Sequence, residues 1–556
     1  MDRQMTAERM QAEYQRGKAY NEGIGLYEAV RRNERFFEGD QWDGVKTREI
    51  RPITMNFLDQ IGHYKVSQIV SEDVGQQIEP FLPDETAQQA ATILTQSIDR
   101  VVERQKIKAR HHELLRNAFV DGDAALYFYF NAGKETGFGG VSGEIEAESL
   151  MNTNVLFGNP ACRETQRQPY ILIVRRRPVC EARREAKARG CAEWESIQGE
   201  SEGIYKGDDE QNDADSLCTE LTRFWRGEDG CVRFCKCVGR VMTQPETATG
   251  MTLYPLAYIS WKPRQNSYHG VRELDALINT QISVNKQWTA LDMQLRSNAM
   301  PKLVYDMRKF PDGWKPEAQT IGIMGDVREA LTGVAGSMPI PNEATSITQN
   351  MLETAKNCAG ANDAALGNIK NPDNTSAIVA AQTASSAPLS LTRLAYWQFV
   401  EDYTRVLIDM MHAYYGIRTV KVTDKAADPL TGADTELTRL VDYDFAALPV
   451  DAMDLKIDIG AASYWAQNLQ TATLDNLMRA GVIPSAADYL ERLPEGTVKD
   501  RQGLIDAIRS ASGQQAAQDM QGVPDGSALG EAGLMQAAGR VERLRQAIGT
   551  RQPGTA

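Results

Sequence analysis

The chain has 556 residues, 42% hydrophobic and 24% charged, a composition typical of a soluble globular protein with two to four domains. Its formal net charge of −14 argues against a protein that grips the phosphate backbone of nucleic acid with lysine and arginine. No run of eighteen apolar residues occurs, and the first residues lack the apolar core of a signal peptide. We therefore expect no membrane-spanning helix and no export.

The first 260 residues predict a body of mixed helix and strand. Apolar residues recur at helical spacing in the early segments, and short runs of aromatic or β-branched residues follow after Asp121-Gly-Asp123. Glycines at both ends of a four-residue turn, 227–230, indicate a hairpin. The predicted elements are helix within 1–35, helix at 58–74, a helical hairpin or rod at 87–119, strands at 124–130 and 170–179, a short helix at 181–188, and hairpin strands at 217–225 and 232–241.

Eight cysteines are scattered along the chain, and we interpret them as reduced thiols because no export signal is present. Cys231, Cys235 and Cys237 are close enough together to suggest zinc. They lie, however, in a run that alternates as a strand does, and no second pair of ligands is near in sequence. Packing within a strand is the favoured interpretation, and we expect no metal site.

A long helix predicted at 270–299 is the most continuous pattern in the chain. It contains no proline and no glycine after its first residue, and thirty residues would form a rod of about 45 Å. Pro301 ends it, because proline lacks the backbone N–H and disfavours helix in the preceding residue. A second helix is predicted at 343–363. Between the two, residues 301–341 form a small, charge-balanced insert with short strands.

A third long helix is predicted at 376–415, after a loop rich in Asn, Asp and Pro. Its first half is dense in alanine, which would let a neighbouring backbone approach closely. Pro388 lies inside it and predicts a kink, because the proline ring clashes with the carbonyl of Ala384. The remaining predictions are strands at 419–423 and 453–459, helices at 465–480, 486–493 and 501–510, and a flexible segment at 511–530.

No catalytic motif has the required residues and spacing. The chain contains no GxxxxGK[ST] phosphate loop and no HExxH, and at 137–142 the third glycine of a dinucleotide turn is replaced by Ser142. His111 and His112 point in different directions on a helix, so we interpret them as solvated or capping residues. We also interpret as solvated the acidic residues beside turns, Asp121, Asp123, Glu144, Glu146 and Glu148. We expect no enzymatic activity and no cofactor.

Several short segments, taken in order, are similar to segments of a known family. They are Arg35-Phe-Phe-Glu-Gly-Asp-Gln-Trp42; Arg51-Pro-Ile-Thr-Met-Asn56; Val155-Leu-Phe-Gly-Asn-Pro160 with Gln168-Pro-Tyr170; Tyr258-Ile-Ser-Trp261 and Tyr268-His-Gly270 leading to Leu274, Gln281, Asn285 and Pro301; and Ile457-Asp-Ile459 with Gly481-Val-Ile-Pro484 and Tyr489-Leu-Glu-Arg-Leu493. Over residues 20–510 the chain resembles the portal proteins of tailed bacteriophages. These form the ring through which the genome enters and leaves the head.

The resemblance implies an α+β fold with the parts of a portal subunit. The implied parts are a mixed α/β wing at 1–260, a stem helix at 261–300, a small β-containing clip at 301–341, a second stem helix at 342–363, a tunnel loop at 364–375, the rest of the wing with its long kinked helix at 376–461, an α-helical crown at 462–512, and a flexible or partner-ordered tail at 513–556.

The resemblance also implies the partners. Twelve copies would form a ring at one capsid vertex of the virion, assembled in the host cytoplasm. They would contact the major capsid protein or a scaffold, the large terminase subunit, and later the head-completion or adaptor proteins. Double-stranded DNA would pass without being held, since twelve times −14 gives a formal charge of −168. Two alternatives stay open: another oligomeric virion or scaffold protein without a DNA channel, and an enzyme with an unrecognised site.

Two sets of candidate functional residues follow from this anatomy. Trp314, between Gly313 and Lys315, is an anchor-type aromatic for a docking partner, or else packs inside the clip. Lys370 is the one positive charge of the tunnel loop and could contact phosphate briefly, unless the loop is simply solvated. The sets are Arg308, Lys309, Trp314 and Lys315 for clip docking, and Asn368, Lys370, Asn371, Asp373 and Asn374 for the tunnel loop.

Overall fold

The structure of the chain is a computed structural model. The described residues are 5–45, 51–70, 74–80, 85–135, 142–199, 216–299, 303–309, 311, 320–326, 342–361, 387–427, 434–447, 453–459, 474, 477–478, 486–493 and 505. The chain divides into two compact units, residues 1–461 and 462–556. Helices and strands are mixed along the first unit, so the fold is α+β, as the sequence predicts.

The first unit contains nine described α-helices and fourteen described strands. In chain order they are α1 Ala7–Gly23, α2 Leu26–Glu38, α3 Phe57–Val70, β1 Val74–Pro80, α4 Glu85–Arg104, α5 Ile107–Asp121, β2 Asp123–Glu135, β3 Ser142–Met151, β4 Val155–Phe157, β5 Ile171–Pro178, α6 Val179–Ala188, β6 Leu217–Arg226, β7 Val232–Val238, β8 Val241–Ala248, β9 Leu256–Ser260, α7 Asp275–Ala299, β10 Leu303–Asp306, β11 Thr320–Ile323, α8 Asn342–Cys358, α9 Ser390–Tyr414, β12 Ile417–Ala427, β13 Asp434–Asp444 and β14 Met453–Ile459.

Most predicted elements in the described residues are present, but several boundaries were wrong. The charged lead-in is two helices, because Gly25 takes a left-handed conformation between them. The long segment at 87–119 is also two helices, α4 and α5, separated at Lys106, whose φ is 52°. Helix α7 begins at Asp275 rather than at 270, and α8 ends at Cys358 rather than at 363.

The predicted kink at Pro388 is not tested by the described residues. Pro388 lies in the 3-10 turn Ala387–Leu389, and α9 begins directly after it. Residues 376–386, which would form the other arm of the kinked helix, lie outside the described residues. The kink therefore stays a prediction.

Two antiparallel sheets form the body around the long helices. One has the order β3-β2-β9, and the other is a five-stranded meander, β4-β5-β6-β7-β8. The 232–241 segment predicted as one strand is two, because the chain turns at Gly239 between β7 and β8. Cys235 and Cys237 are buried in β7, which confirms that these thiols pack within a strand. Strand β9 was not predicted.

Helix α9 runs through the largest core cluster. Its buried side chains recur every three or four residues, at Tyr396, Phe399, Tyr403, Leu407 and Met411. One face of the helix is therefore a continuous apolar stripe. It packs against β2, β9, β1 and β14 and against α3 and α4, and so joins early and late parts of the chain.

His111 belongs to this core, so its interpretation as a solvated residue was wrong. The ring is buried between Tyr396, Phe399 and Tyr403, and Nδ1 lies 2.8 Å from the Tyr396 hydroxyl. Burial, with a smaller contribution from Lys108, lowers the pKa of His111 from 6.5 to about 4. The neighbouring His112 is exposed, as predicted.

We expect the His111→Gln variant to be less sensitive to acid than the wild type. Below pH 6.5 the unfolded state of the wild type gains a proton that the folded state accepts only near pH 4, so its stability falls across this window. The loss should reach about 3 kcal/mol at pH 4. Urea unfolding midpoints at pH 7, 6 and 5 measure it, with His112→Gln as the matched control. An equal acid sensitivity in all three proteins would contradict the prediction.

The other described sheets are two-stranded. Strand β1 pairs antiparallel with β14, β12 pairs antiparallel with β13, and β10 pairs parallel with β11. In the second unit the structure describes one short helix, α10 Ala486–Arg492, within the predicted 486–493. Leu474 and Leu493 are buried there and pack with Tyr489 and Leu490. Within the described part of the chain, no helix has the length and apolarity needed to cross a membrane.

Candidate functional site: a helix pair anchored to the body

Helices α7 and α8, here called the helix pair, flank the small insert predicted from the sequence. One face of α7 carries three buried polar residues at four-residue spacing, Gln281, Asn285 and Thr289. They bind residues 51–57, here called the anchor segment. The Gln281 Oε1, Asn285 Oδ1 and Thr289 Oγ1 atoms accept hydrogen bonds from the backbone N–H groups of alternate residues in that segment, at 3.2, 3.0 and 3.0 Å.

Two further bonds complete this contact. Gln281 Nε2 donates to the Met55 carbonyl at 2.6 Å, and Asn285 Nδ2 donates to Gln41 Oε1 at 2.5 Å. The helix thus provides hydrogen-bond partners for the backbone of the anchor segment, as a neighbouring strand would. The partners are side chains of the helix rather than backbone groups. The sequence showed the two partners as separate motifs, and only the fold brings them together.

The first turn of α7 is held by charge. Asp275 accepts bonds from Arg32 at 2.6 Å, Arg272 at 2.7 Å and Asn33 at 2.9 Å. Burial alone would raise the pKa of Asp275, but these partners outweigh it and lower that pKa. A carboxylate in the first turn also interacts favourably with the positive end of the helix dipole.

Residues 261–274, here called the lead-in loop, connect β9 to α7 and are fixed by Asp123. Its Oδ1 accepts from Ser260 Oγ at 2.8 Å and from the Gly270 N–H at 2.6 Å, and its Oδ2 lies 3.0 Å from His269 Nδ1. A carboxylate can only accept, so this ring nitrogen carries the proton. On its other side, His269 Nε2 lies 3.1 Å from the side-chain amide of Asn21.

Gly270 is required in this loop. A Cβ at this position would lie 2.8 Å from the carbonyl oxygens of Gly122 and Lys262. Both of those atoms are backbone and cannot turn aside. A second ion pair fixes the same loop, since Glu273 bonds to Lys65 at 2.9 Å and also to Lys262.

The interpretation of the acidic residues beside turns as solvated was wrong for three of them. Asp123 is 1% exposed, and Asp121 and Glu144 are also buried. Burial, with a smaller contribution from Glu34, raises the pKa of Asp121 to about 8, and Oδ1 of this group has no partner among the described residues. Glu146 and Glu148 are half-buried. The only sequence signal near these residues is Gly122, which lies between Asp121 and Asp123 and indicates a turn rather than burial.

Beyond Thr289 the described side chains of α7 are no longer buried. The last ten residues include no buried side chain among those described, and Leu295 is 54% exposed. Helix α8 returns alongside, with Gln287 bonded to Met351 Sδ at 3.6 Å and to the Thr348 hydroxyl. At its other end, α8 and the following turn bury Ala355 and Ala359 in the main core. The helix pair is therefore anchored at one end and largely solvated at the other.

At the solvated end the described part of the insert contains β10 and β11. Arg308 and Lys309 follow β10 in an exposed turn, in which Asp306 Oδ1 accepts from the Arg308 N–H at 2.9 Å. Trp314 and Lys315 lie outside the described residues, so the structure does not test whether these four residues form one surface. The whole tunnel loop prediction, Asn368, Lys370, Asn371, Asp373 and Asn374, also lies outside them.

Large apolar side chains are exposed along these long helices. They include Met293 and Leu295 on α7, Ile347 on α8, and Leu391 and Leu394 on α9. Scattered exposed leucines are normal, but two that lie three residues apart on one helix face form a continuous patch.

No group of three His, Cys, Asp or Glu within the described residues is arranged to hold a metal ion. Comparison with protein-family profiles and with curated protein sequences finds no match for this chain.

Proposed function

We propose that this chain is a portal protein of a tailed bacteriophage. In this proposal it forms a twelve-fold ring at one capsid vertex, a channel for genome packaging and ejection, and a docking platform for the packaging motor. The observation that carries the proposal is the helix pair: two long helices, anchored firmly at one end, that flank a small insert at a solvated end. It supports the proposal because the resemblance to portal proteins implies a stem of two helices on either side of a small clip.

The anchoring of the helix pair fits a mechanical role. Three separate contacts hold its base: the polar row on α7, the Asp275 ion pairs, and the Asp123 bonds to the lead-in loop. Directional hydrogen bonds and ion pairs restrict the relative orientation of the groups that they join. A rod that transmits force between a motor and a capsid needs such a fixed geometry at its base.

The negative net charge of the chain suits a protein that forms a channel for DNA better than a protein that recognises a DNA sequence. Each chain carries −14, so a ring lined by such chains would repel phosphate and let a duplex slide. In the proposal the clip residues, with Arg308, Lys309, Trp314 and Lys315, bind the large terminase subunit and then the head-completion proteins. The tunnel loop with Lys370 contacts the passing DNA, and the wing contacts the capsid protein or scaffold.

The mass and shape of the purified full-length chain test the proposal. We expect a particle of about 740 kDa, twelve chains of 61.7 kDa, with a central channel in negative-stain images. Size-exclusion chromatography with multi-angle light scattering at micromolar concentration gives the first quantity directly. Only monomer or dimer would contradict the proposal. A closed oligomer without a channel would favour a structural virion protein that does not conduct DNA.

A further inference from the structure

A small cavity lies in the body between α4, β3 and the start of β12, away from the helix pair. Its volume is about 60 Å³. A water molecule needs about 10–15 Å³ by this measure, so the cavity has room for about four to six non-hydrogen atoms. Apolar groups form most of its accessible wall, and three arginines line it: Arg100, Arg104 and Arg418.

Arg418 is the most firmly placed of the three. Its guanidinium carbon lies 3.8 Å from the centre of the Tyr415 ring, Nε donates to the Tyr415 carbonyl at 3.2 Å, and Nη2 donates to the Gly143 carbonyl at 2.9 Å. These contacts fix the plane of the guanidinium. Burial lowers the pKa of Arg418, although Tyr415 and Glu144 act against this.

The other lining charges leave the cavity positive. Among the described residues, Glu144 is the one carboxylate in its wall, and it is shared: Arg104 Nη1 bonds to it at 2.6 Å, and Lys134 Nζ at 2.9 Å. Arg100 makes no hydrogen bond or ion pair with any other described residue. Three guanidinium groups and one shared carboxylate around one small space leave an excess of positive charge in a chain that is acidic as a whole.

The same corner of the protein is basic on its outer surface. Residues 100–110 contain five lysines or arginines and one glutamate, at Arg100, Arg104, Lys106, Lys108, Arg110 and Glu103. Lys106 and Lys108 are exposed. An anion would therefore be attracted to this corner before it reached the cavity.

We propose that this cavity binds one phosphate-sized oxyanion, held by Arg100, Arg104 and Arg418. Guanidinium groups present paired N–H donors that match the oxygens of phosphate, and such charge-assisted bonds are about twice as strong as neutral ones. The size of the cavity suits the five non-hydrogen atoms of the ion. The oxyanion is either free inorganic phosphate or a phosphate group of a nucleic-acid backbone.

The first experiment measures binding of inorganic phosphate to the full-length protein by isothermal titration calorimetry, with chloride at equal ionic strength as the reference. We expect saturable binding of one phosphate per chain. A short DNA duplex, added with and without phosphate, identifies the source. Duplex binding that phosphate displaces points to a nucleic-acid phosphate, and phosphate binding alone points to the free ion. No saturable binding of either probe would overturn the proposal.

The variant Arg100→Gln tests the position of the site. Because Arg100 has no partner among the described residues, its replacement should leave the fold intact and weaken phosphate binding by about tenfold or more. Arg31→Gln is the matched control, since Arg31 is an exposed helical arginine that also lacks a described partner. Equal phosphate affinity in both variants would show that the ion binds elsewhere. The proposed anion site does not depend on ring assembly. A negative result in these binding experiments would therefore leave the proposed function unaffected.

Discussion

The double variant Leu391→Glu/Leu394→Glu is expected to convert the ring of about 740 kDa into monomers or small oligomers. The two leucines lie on one face at the start of α9 and are 78% and 60% exposed in the single chain. Burying a leucine contributes about 1.5–3 kcal/mol, and a buried unpaired carboxylate costs several kcal/mol. Each subunit of a ring makes the same contact with its neighbour, so the double variant would weaken every contact in the ring. This prediction rests on the proposed function and on these leucines being part of the interface.

Size-exclusion chromatography with multi-angle light scattering at micromolar concentration measures the result. The matched control is Gln88→Glu/Gln89→Glu, which adds the same two charges at exposed positions of helix α4. We expect this control to keep the mass of the wild type. If the leucine variant keeps the full mass as well, the start of α9 is not part of the subunit contact. Circular dichroism of both variants separates loss of assembly from loss of folding.

The local elements could be predicted because their signals are local. Apolar side chains at helical spacing revealed α7, and the glycine-bounded turn at 227–230 revealed the hairpin of β6 and β7. Helix ends were less accurate, because a single residue in an unusual conformation decides them. Lys106 shows this well: it divides one predicted rod into α4 and α5, although lysine carries no sequence signal for a left-handed conformation.

The anchoring contacts could not be predicted, because their partners are far apart in sequence. Gln281 meets the backbone of Phe57, and His269 meets Asp123. Nothing in a single sequence distinguishes a buried polar residue from a solvated one, and solvation is the commoner state. This is why the interpretations of His111 and Asp123 were wrong. In the sequence, the run Tyr268-His-Gly270 resembles a family motif, but it carries no sign that His269 is the partner of a carboxylate.

The Asp123→Ala variant is expected to be destabilised by about 3–5 kcal/mol at pH 7. The change leaves two buried groups, His269 Nδ1 and the Gly270 N–H, without the carboxylate acceptor that binds them. The half-buried Ser260 hydroxyl loses its 2.8 Å bond but keeps the Tyr268 carbonyl as an acceptor at 3.4 Å. The desolvation cost of the two buried groups would then no longer be offset by a charge-assisted hydrogen bond. Urea unfolding at pH 7 measures the loss.

The control for this variant lies two residues away. Asp121→Asn replaces an equally buried aspartate whose pKa is raised from 3.8 to about 8. Between these two pH values the unfolded carboxyl has lost its proton while the folded one keeps it, so wild-type stability falls as pH rises. Asparagine removes this cost, and the variant should be more stable than the wild type, increasingly so from pH 4 to pH 8. If Asp123→Ala unfolds at the urea concentration of the wild type, the lead-in loop is held by other contacts, such as Glu273 with Lys65.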